Sequence, residues 1–188
     1  MARRSSGLHN GFLDSSCYMQ NDGKILNEQQ LKNLESHKYN SSGTTILDKY
    51  FQVWWNFVVS FCPSWLAPNT ITVIGLLFNI VGTLTLLYYC PTATEVAPRW
   101  CWLFNAACLF IYQTLDAIDG KQARKTGNSS PLGELFDHGC DSISMVMVTM
   151  NLFVMYQTGD EPGMMVLACL INNGGFYLAH WATYTTGK

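Results

Sequence analysis

The sequence predicts an all-α integral membrane protein, with one amphipathic helix in the membrane interface followed by about four transmembrane helices. Three observations lead to this fold class. From Ile46 onward charge nearly vanishes except in three short patches. Ile71 to Cys90 runs 20 residues without a charge, about 30 Å of helix and enough to cross a hydrocarbon core. Sixteen uncharged, mostly apolar residues, Trp100 to Leu115, precede an acidic and basic stretch, after which another long apolar segment begins.

Each element follows in order. Residues 1–44 are polar, rich in Ser, Asn, Gln and Lys, and read as a cytosolic N-terminal region with one short helix, NEQQLKNLESHK, capped by Asn27. Residues 45–66 hold aromatics interrupted by polar residues, in ILDKYFQVWWNFVVSFCPSWLAP. That mixture suits a helix lying in the interface; a further buried helix is the alternative. Residues 67–188 form the transmembrane domain. Its spans are Ile71 to Cys90, Trp100 to about Lys125, Leu132 to Tyr156 and Met164 to about Tyr184. PTATEVAPR, with two prolines, and QTGDEPG separate the first from the second and the third from the fourth.

Composition removes several function classes. The 188 residues suit one domain, and the net charge of −2 excludes a strongly basic nucleic-acid binder. No nucleic-acid partner is expected. The seven cysteines form no CxxC pair and most lie in apolar segments, which suits small buried residues rather than a zinc site or a disulfide framework. After Met-Ala-Arg-Arg, no segment has the apolar run and small-residue cleavage site of a signal peptide. There is no internal repeat.

Basic residues set the orientation. Lys121, Arg124 and Lys125 follow the second span, and several more lie on the N-terminal side. The opposite loops hold Arg99 with Glu95, Asp160 and Glu161. The positive-inside rule therefore predicts cytosolic termini and a cytosolic 121–131 loop. Asn69, Asp116, Asp119, Asp137 and Asp141 then fall at the cytosolic ends of three spans, so that one site can collect them.

Four aspartates at helix ends need a cation. Asp116 and Asp119, three residues apart, and Asp137 and Asp141, four apart, are repelling helical neighbours, and ionisable residues at membrane depth usually mark function. An all-oxygen carboxylate cluster suits Mg²⁺ or Mn²⁺. Two such ions would neutralise the four acids and clamp a diphosphate for in-line displacement. Gly120 and Ala123, on the face of the first pair, keep the backbone open to a bulky ligand. Arg124 is placed to hold a phosphate oxygen. His138, with an unperturbed pKa of about 6.5, suits a general base better than a carboxylate bound to a cation; the competing role is a hydrogen bond to an aspartate. His180 lies on an apolar helix and has a weaker case for touching substrate. Lys121 and Lys125 read as cytosolic anchors near lipid phosphates. No Walker or G-x-G-x-x-G loop is present.

Asp116, then Asp119-Gly120-Lys121-Gln122-Ala123-Arg124, eight residues, Gly133, three, Asp137, three and Asp141 resembles the pattern of the CDP-alcohol phosphotransferase family without a gap. Eight fixed residue types over positions 116–141 are far more demanding than a pair of acids. DAIDGKQAR, SPLGELFDHGCDS, YCPTATE, APN and LFIYQ resemble its choline/ethanolamine branch, and the likeness covers roughly Gln30 to Gly187. Cys140 favours that branch over the selenium-containing ethanolamine enzyme.

The resemblance implies transfer of a phosphoalcohol from CDP-choline or CDP-ethanolamine to diacylglycerol, releasing CMP, in a multi-pass protein of the endoplasmic reticulum or Golgi membrane. By motif position it implies that the four aspartates bind two metals, that His138 deprotonates the diacylglycerol hydroxyl, and that Asn69 and Arg124 contact the CDP-alcohol. A homodimer is compatible with it. It also implies a chain about twice as long, whose later helices complete the pocket wall. A short isoform or an incomplete sequence would then insert in the membrane but turn over slowly or not at all, with activity restored by those helices. The rival functions are a silent short form modulating a complete relative and a divalent-cation transporter. Arg124 beside the acids favours an anionic diphosphate over a transported cation.

Overall fold

The computed structural model describes residues 27–35 and 47–186, and the described residues form six helices and no strand. Two units divide the chain, residues 1–38 and 39–188. In the first, α1 (Glu28–Glu35) opens on a reciprocal cap. The Gln30 N–H donates to Asn27 Oδ1 and the Asn27 N–H donates to Gln30 Oε1, each at 2.8 Å. The expected Asn27 cap is therefore present, with Asn27 in place of the usual Ser or Thr and Gln30 as the usual partner three residues on. The rest of the expected 1–44 region, and the helix expected through Lys38, lie outside the described residues.

The second unit holds α2 (Asp48–Phe61), α3 (Pro68–Tyr89), α4 (Arg99–Thr126), α5 (Pro131–Met155) and α6 (Pro162–Thr186). Proline opens α3, α5 and α6 at the first turn, where a missing N–H costs no helical bond. Gly127 ends α4 in the left-handed region, φ 70°, and the Asn128 N–H returns 2.9 Å to the Ala123 carbonyl. Ser130 caps α5, its Oγ accepting from the Gly133 N–H at 3.1 Å. These two devices turn the chain from α4 into α5 within four residues, Gly127 to Ser130.

α3 packs against both α4 and α5, α5 also packs against α6, and α2 packs against α4. Close approach of α3 and α4 depends on small residues. A Cβ on Gly82 would stand 2.9 Å from Cys108 Cβ, and one on Gly75 would stand 3.3 Å from Leu115 Cβ. Gly82→Ala should therefore push the helices apart and destabilise the fold by about 1–3 kcal/mol. A lower melting temperature in micelles, larger than for Gly75→Ala, is the expected result; an unchanged melt would refute the packing argument. At the far end a dry core of Leu86, Cys90, Ala93, Ala97, Cys101 and Val154 closes the unit. The two loops at that end are joined. Gly159 N–H donates 3.2 Å to Ala93 O, and a Cβ on Gly159 would collide with the Thr92 carbonyl. Within the first loop the Thr92 hydroxyl donates 2.7 Å to Glu95, a bond that holds the Glu95 carboxyl below its ordinary range.

Three helices are long and apolar enough to cross a membrane: residues 68–89, 99–126 and 162–183. The expected spans at these places are present with ends within three residues. α5, expected as another span, has 25 residues but does not reach the same apolarity. Asp137, His138, Asp141 and Asn151 interrupt it, and polar groups on α3 and α6 face it. Asn151 Nδ2 donates 3.1 Å to Thr83 Oγ1 and Asn172 Nδ2 donates 3.0 Å to Thr149 Oγ1. α6 leaves Val166, Leu167, Leu170, Ile171 and Leu178 exposed. On α2, Tyr50, Val53, Phe57 and Phe61 are exposed on one face, the period of an amphipathic helix.

Candidate active site

The site lies where the last turns of α4 meet the first turns of α3 and α5. Asp116 and Asp119 are three apart on α4, so they share a face. Asp137 comes from the second turn of α5. One carboxylate oxygen from each of the three lies within 4.8 Å of the others, forming a group able to hold a metal ion. Asp141, expected as a fourth ligand, is not in that group. Its Oδ1 accepts a 3.0 Å hydrogen bond from Tyr112 Oη, and its carboxyl adjoins Asp116.

Buried carboxylates of like charge repel strongly where the dielectric is low. Some of that cost is met by protein donors: the Thr72 hydroxyl donates to Asp119 Oδ2. Asp116 Oδ1 and Asp137 Oδ1, however, are buried with no hydrogen-bond partner. Buried acceptors are normally satisfied. Two orphaned carboxylate oxygens on facing helices, with an all-oxygen donor set around them, fit a hard divalent cation.

Beside the acids opens a cleft of about 180 Å³, lined among others by Asn69, Asp119, Gly120, Arg124, Asp137 and His138. Every residue expected to touch substrate therefore borders one space. Asn69 sits in the first turn of α3, its Oδ1 3.5 Å from where a Gly133 Cβ would be, so α3 and α5 meet at their N-termini. Helix N-termini favour anions, and Arg124 adds a full positive charge at the exposed rim. A Cβ on Gly120 would meet only the Arg124 guanidinium, at 3.7 Å, which keeps the α4 side of the cleft open. His138, half-buried, faces the cleft from the turn that carries Asp137.

Sequence reasoning passes over Thr72 and Tyr112 and gives His180 only a weaker case. Thr72 lies one turn on from Asn69, and Tyr112 lies four residues before Asp116; in both cases helical spacing was the available signal. His180 ranked low because α6 reads as apolar, yet its ring centroid is 4.0 Å from that of His138. Lys121 and Lys125 were assigned to lipid phosphates. In the structure Lys121 Nζ donates to Gln52 Oε1 at 2.6 Å and Asn56 Oδ1 at 2.9 Å. Lys125 Nζ donates to the carbonyls of Val59 at 2.9 Å and Cys62 at 2.7 Å, capping the C-terminal end of α2, where a cation is favoured. Buried Gln122 adds a 2.8 Å bond from Nε2 to Pro63 O. One edge of α4 thus grips α2 while the other carries the acids.

Comparison with known proteins agrees with this geometry. Cholinephosphotransferase 1 of Xenopus laevis is 55% identical over 162 residues, 86% of this chain and 40% of the relative. The Homo sapiens protein of the same name is 49% identical over the same shares of the two chains. An uncharacterized CDP-alcohol phosphatidyltransferase class-I family protein 2 of Dictyostelium discoideum is 45% identical, over 87% of this chain and 40% of its own length. The chain spans less than half the length of these curated relatives. The family model described as CDP-alcohol phosphatidyltransferase matches residues 65–187, which include Asn69, all four aspartates, Arg124 and His138. The chain belongs to the CDP-alcohol phosphatidyltransferase family.

Proposed function

We propose that the cleft binds a CDP-alcohol, CDP-choline before CDP-ethanolamine, and that a phosphoalcohol passes from it to diacylglycerol with release of CMP. The carrying observation is the three-carboxylate group, two of its members with orphaned oxygens, of which Asp119 and Asp137 line a cleft shared with Arg124, Asn69 and His138. The relatives' name, cholinephosphotransferase, supports choline.

In this reading Asp116, Asp119 and Asp137 hold Mg²⁺ or Mn²⁺, with Asp141 joining them at a second ion. When bound, the ions neutralise the diphosphate and stabilise the leaving phosphate of CMP. Asn69, the α3 and α5 N-termini and Arg124 orient the nucleotide diphosphate. His138 accepts the proton of the diacylglycerol hydroxyl. The hydroxyl oxygen then bonds to the phosphorus bearing choline, and the bond from that phosphorus to the CMP oxygen breaks. Nothing in the comparisons favours a cation transporter or a regulatory short form. The test is incubation of the purified chain with CDP-choline, diacylglycerol and Mg²⁺. Slow, matched appearance of CMP and phosphatidylcholine, abolished by a chelator, is expected. CDP-choline that neither binds nor reacts would refute the reading.

The same reading puts the cleft on the cytosolic face of an endoplasmic reticulum or Golgi membrane, with α2 lying in the interface on that side. Asn128 begins an Asn-Ser-Ser sequon and lines the cleft, so its modification reports the side the cleft faces. Asn128 and the Asn40-Ser-Ser sequon, which lies outside the described residues, should stay unmodified, while a sequon placed in an extended 156–161 loop should gain sugar. Endoglycosidase-sensitive sugar on Asn128 would invert the orientation.

A further inference from the structure

We infer that His180 on α6 is a positioning residue that fixes the direction in which the His138 ring faces the cleft. The inference rests on the proton-accepting role given to His138 above. The cleft is lined by α3, α4, the α4–α5 link and α5, and no lining residue comes from α6. α6 nevertheless reaches the site at one point. The His138 and His180 ring centroids are 4.0 Å apart with planes at 66°, an edge-to-face contact between α5 and α6.

His180 is itself held. Its Nδ1 lies 2.9 Å from the Phe176 carbonyl one turn back. A carbonyl oxygen only accepts, so Nδ1 carries the proton and the tautomer is set. The His180 ring also packs on the Phe176 ring at 4.2 Å and 46°. Phe176 in turn meets His138 edge-on at 6.4 Å and 88°. Three rings therefore close a triangle across the α5–α6 seam, two of them one turn apart on α6, with the His180 ring anchored to its backbone. The third is the group that must be aimed. A side chain with two free torsions placed beside a reacting hydroxyl gains rate from such restraint, since small misplacement is costly. This gives α6 a part in the reaction without contact with nucleotide or metal.

The test uses the 188-residue chain labelled with ¹³C,¹⁵N-histidine in micelles. The sequence has four histidines, and His138→Ala identifies the His138 ring signals. His180→Ala should shift those signals, because it removes the neighbouring ring, and His180→Phe should return most of the shift. In the transfer assay His180→Ala should lower kcat about 10- to 100-fold with the KM for CDP-choline unchanged, and His180→Phe should recover most of the rate. Should His180→Ala fail to fold, Phe176→Leu, which keeps the carbonyl but removes the stacked ring, should shift the same signals to a smaller extent. His138 signals that stay in place in folded His180→Ala would overturn the inference, as would an unchanged kcat or a loss confined to KM. A ring-signal shift in a chain that neither binds nor turns over CDP-choline would uphold the contact and sink the proposed function instead.

Discussion

Asp137→Asn should cut transfer by about 10²- to 10³-fold or more, a loss of about 3–4 kcal/mol in transition-state stabilisation. The change keeps shape and removes one charge. It acts where the cost is greatest, because Asp137 Oδ1 is one of the two buried carboxylate oxygens with no protein partner and lies in the three-carboxylate group. An amide there presents a weaker ligand, or a second donor with nothing to accept it. Asp119→Asn should behave alike, with one difference. The Thr72 hydroxyl already donates to Asp119, so Thr72→Val should give a smaller loss of the same kind. Mn²⁺ binding followed by electron paramagnetic resonance checks the cause without reliance on turnover. Wild-type Mn²⁺ affinity in Asp137→Asn would remove Asp137 from the metal site.

His138→Ala should lower kcat by about 10²- to 10⁴-fold, the range of a lost general base, while leaving the KM for CDP-choline within about twofold. The geometry explains the split. His138 borders the cleft beside Asp137 but is not in the group of ligand atoms, so its removal leaves metal and nucleotide contacts intact. Measurement belongs in membranes where the unsubstituted chain transfers, with CDP-choline and diacylglycerol varied separately. Normal turnover in His138→Ala would pass the proton to Asp141 or to water.

Much of this site could be read from spacing. Carboxylates three and four apart on two helices can meet if both helices pack on a third, and α3 packs on both α4 and α5. The ends of α4 and α5 were legible for local reasons: Gly127 suits a left-handed cap, and Ser130-Pro131 suits a helix start. Less legible was anything that depends on rotation about a helix axis. The sequence places Asp141 one turn after Asp137, but only packing shows that Tyr112 turns it from the three-acid group. The third expected span has the length, but the polar residues it carries keep it below the apolarity of the other three. Lys121 and Lys125 have the composition of lipid anchors, yet the nearest acceptors are carbonyls and amides of α2. His180 needed a contact between helices 42 residues apart in sequence, counted from His138, which no local pattern carries.

The grip of Lys121, Gln122 and Lys125 on α2 links depth to chemistry. α2 has an apolar stripe on the outside, and the hydrogen bonds that hold it come from the same helical turns as Asp119 and Gly120. If α2 lies in the membrane interface, as proposed, the acids are thereby moored at a fixed level relative to a float. If α2 rides higher or lower among the headgroups, it carries the acids with it, or else breaks those bonds. A soluble nucleotide and a lipid hydroxyl live in different layers of the membrane, and a site joining them works at one height. On the proposed reading that height is set by the float, and the float answers to the bilayer surface.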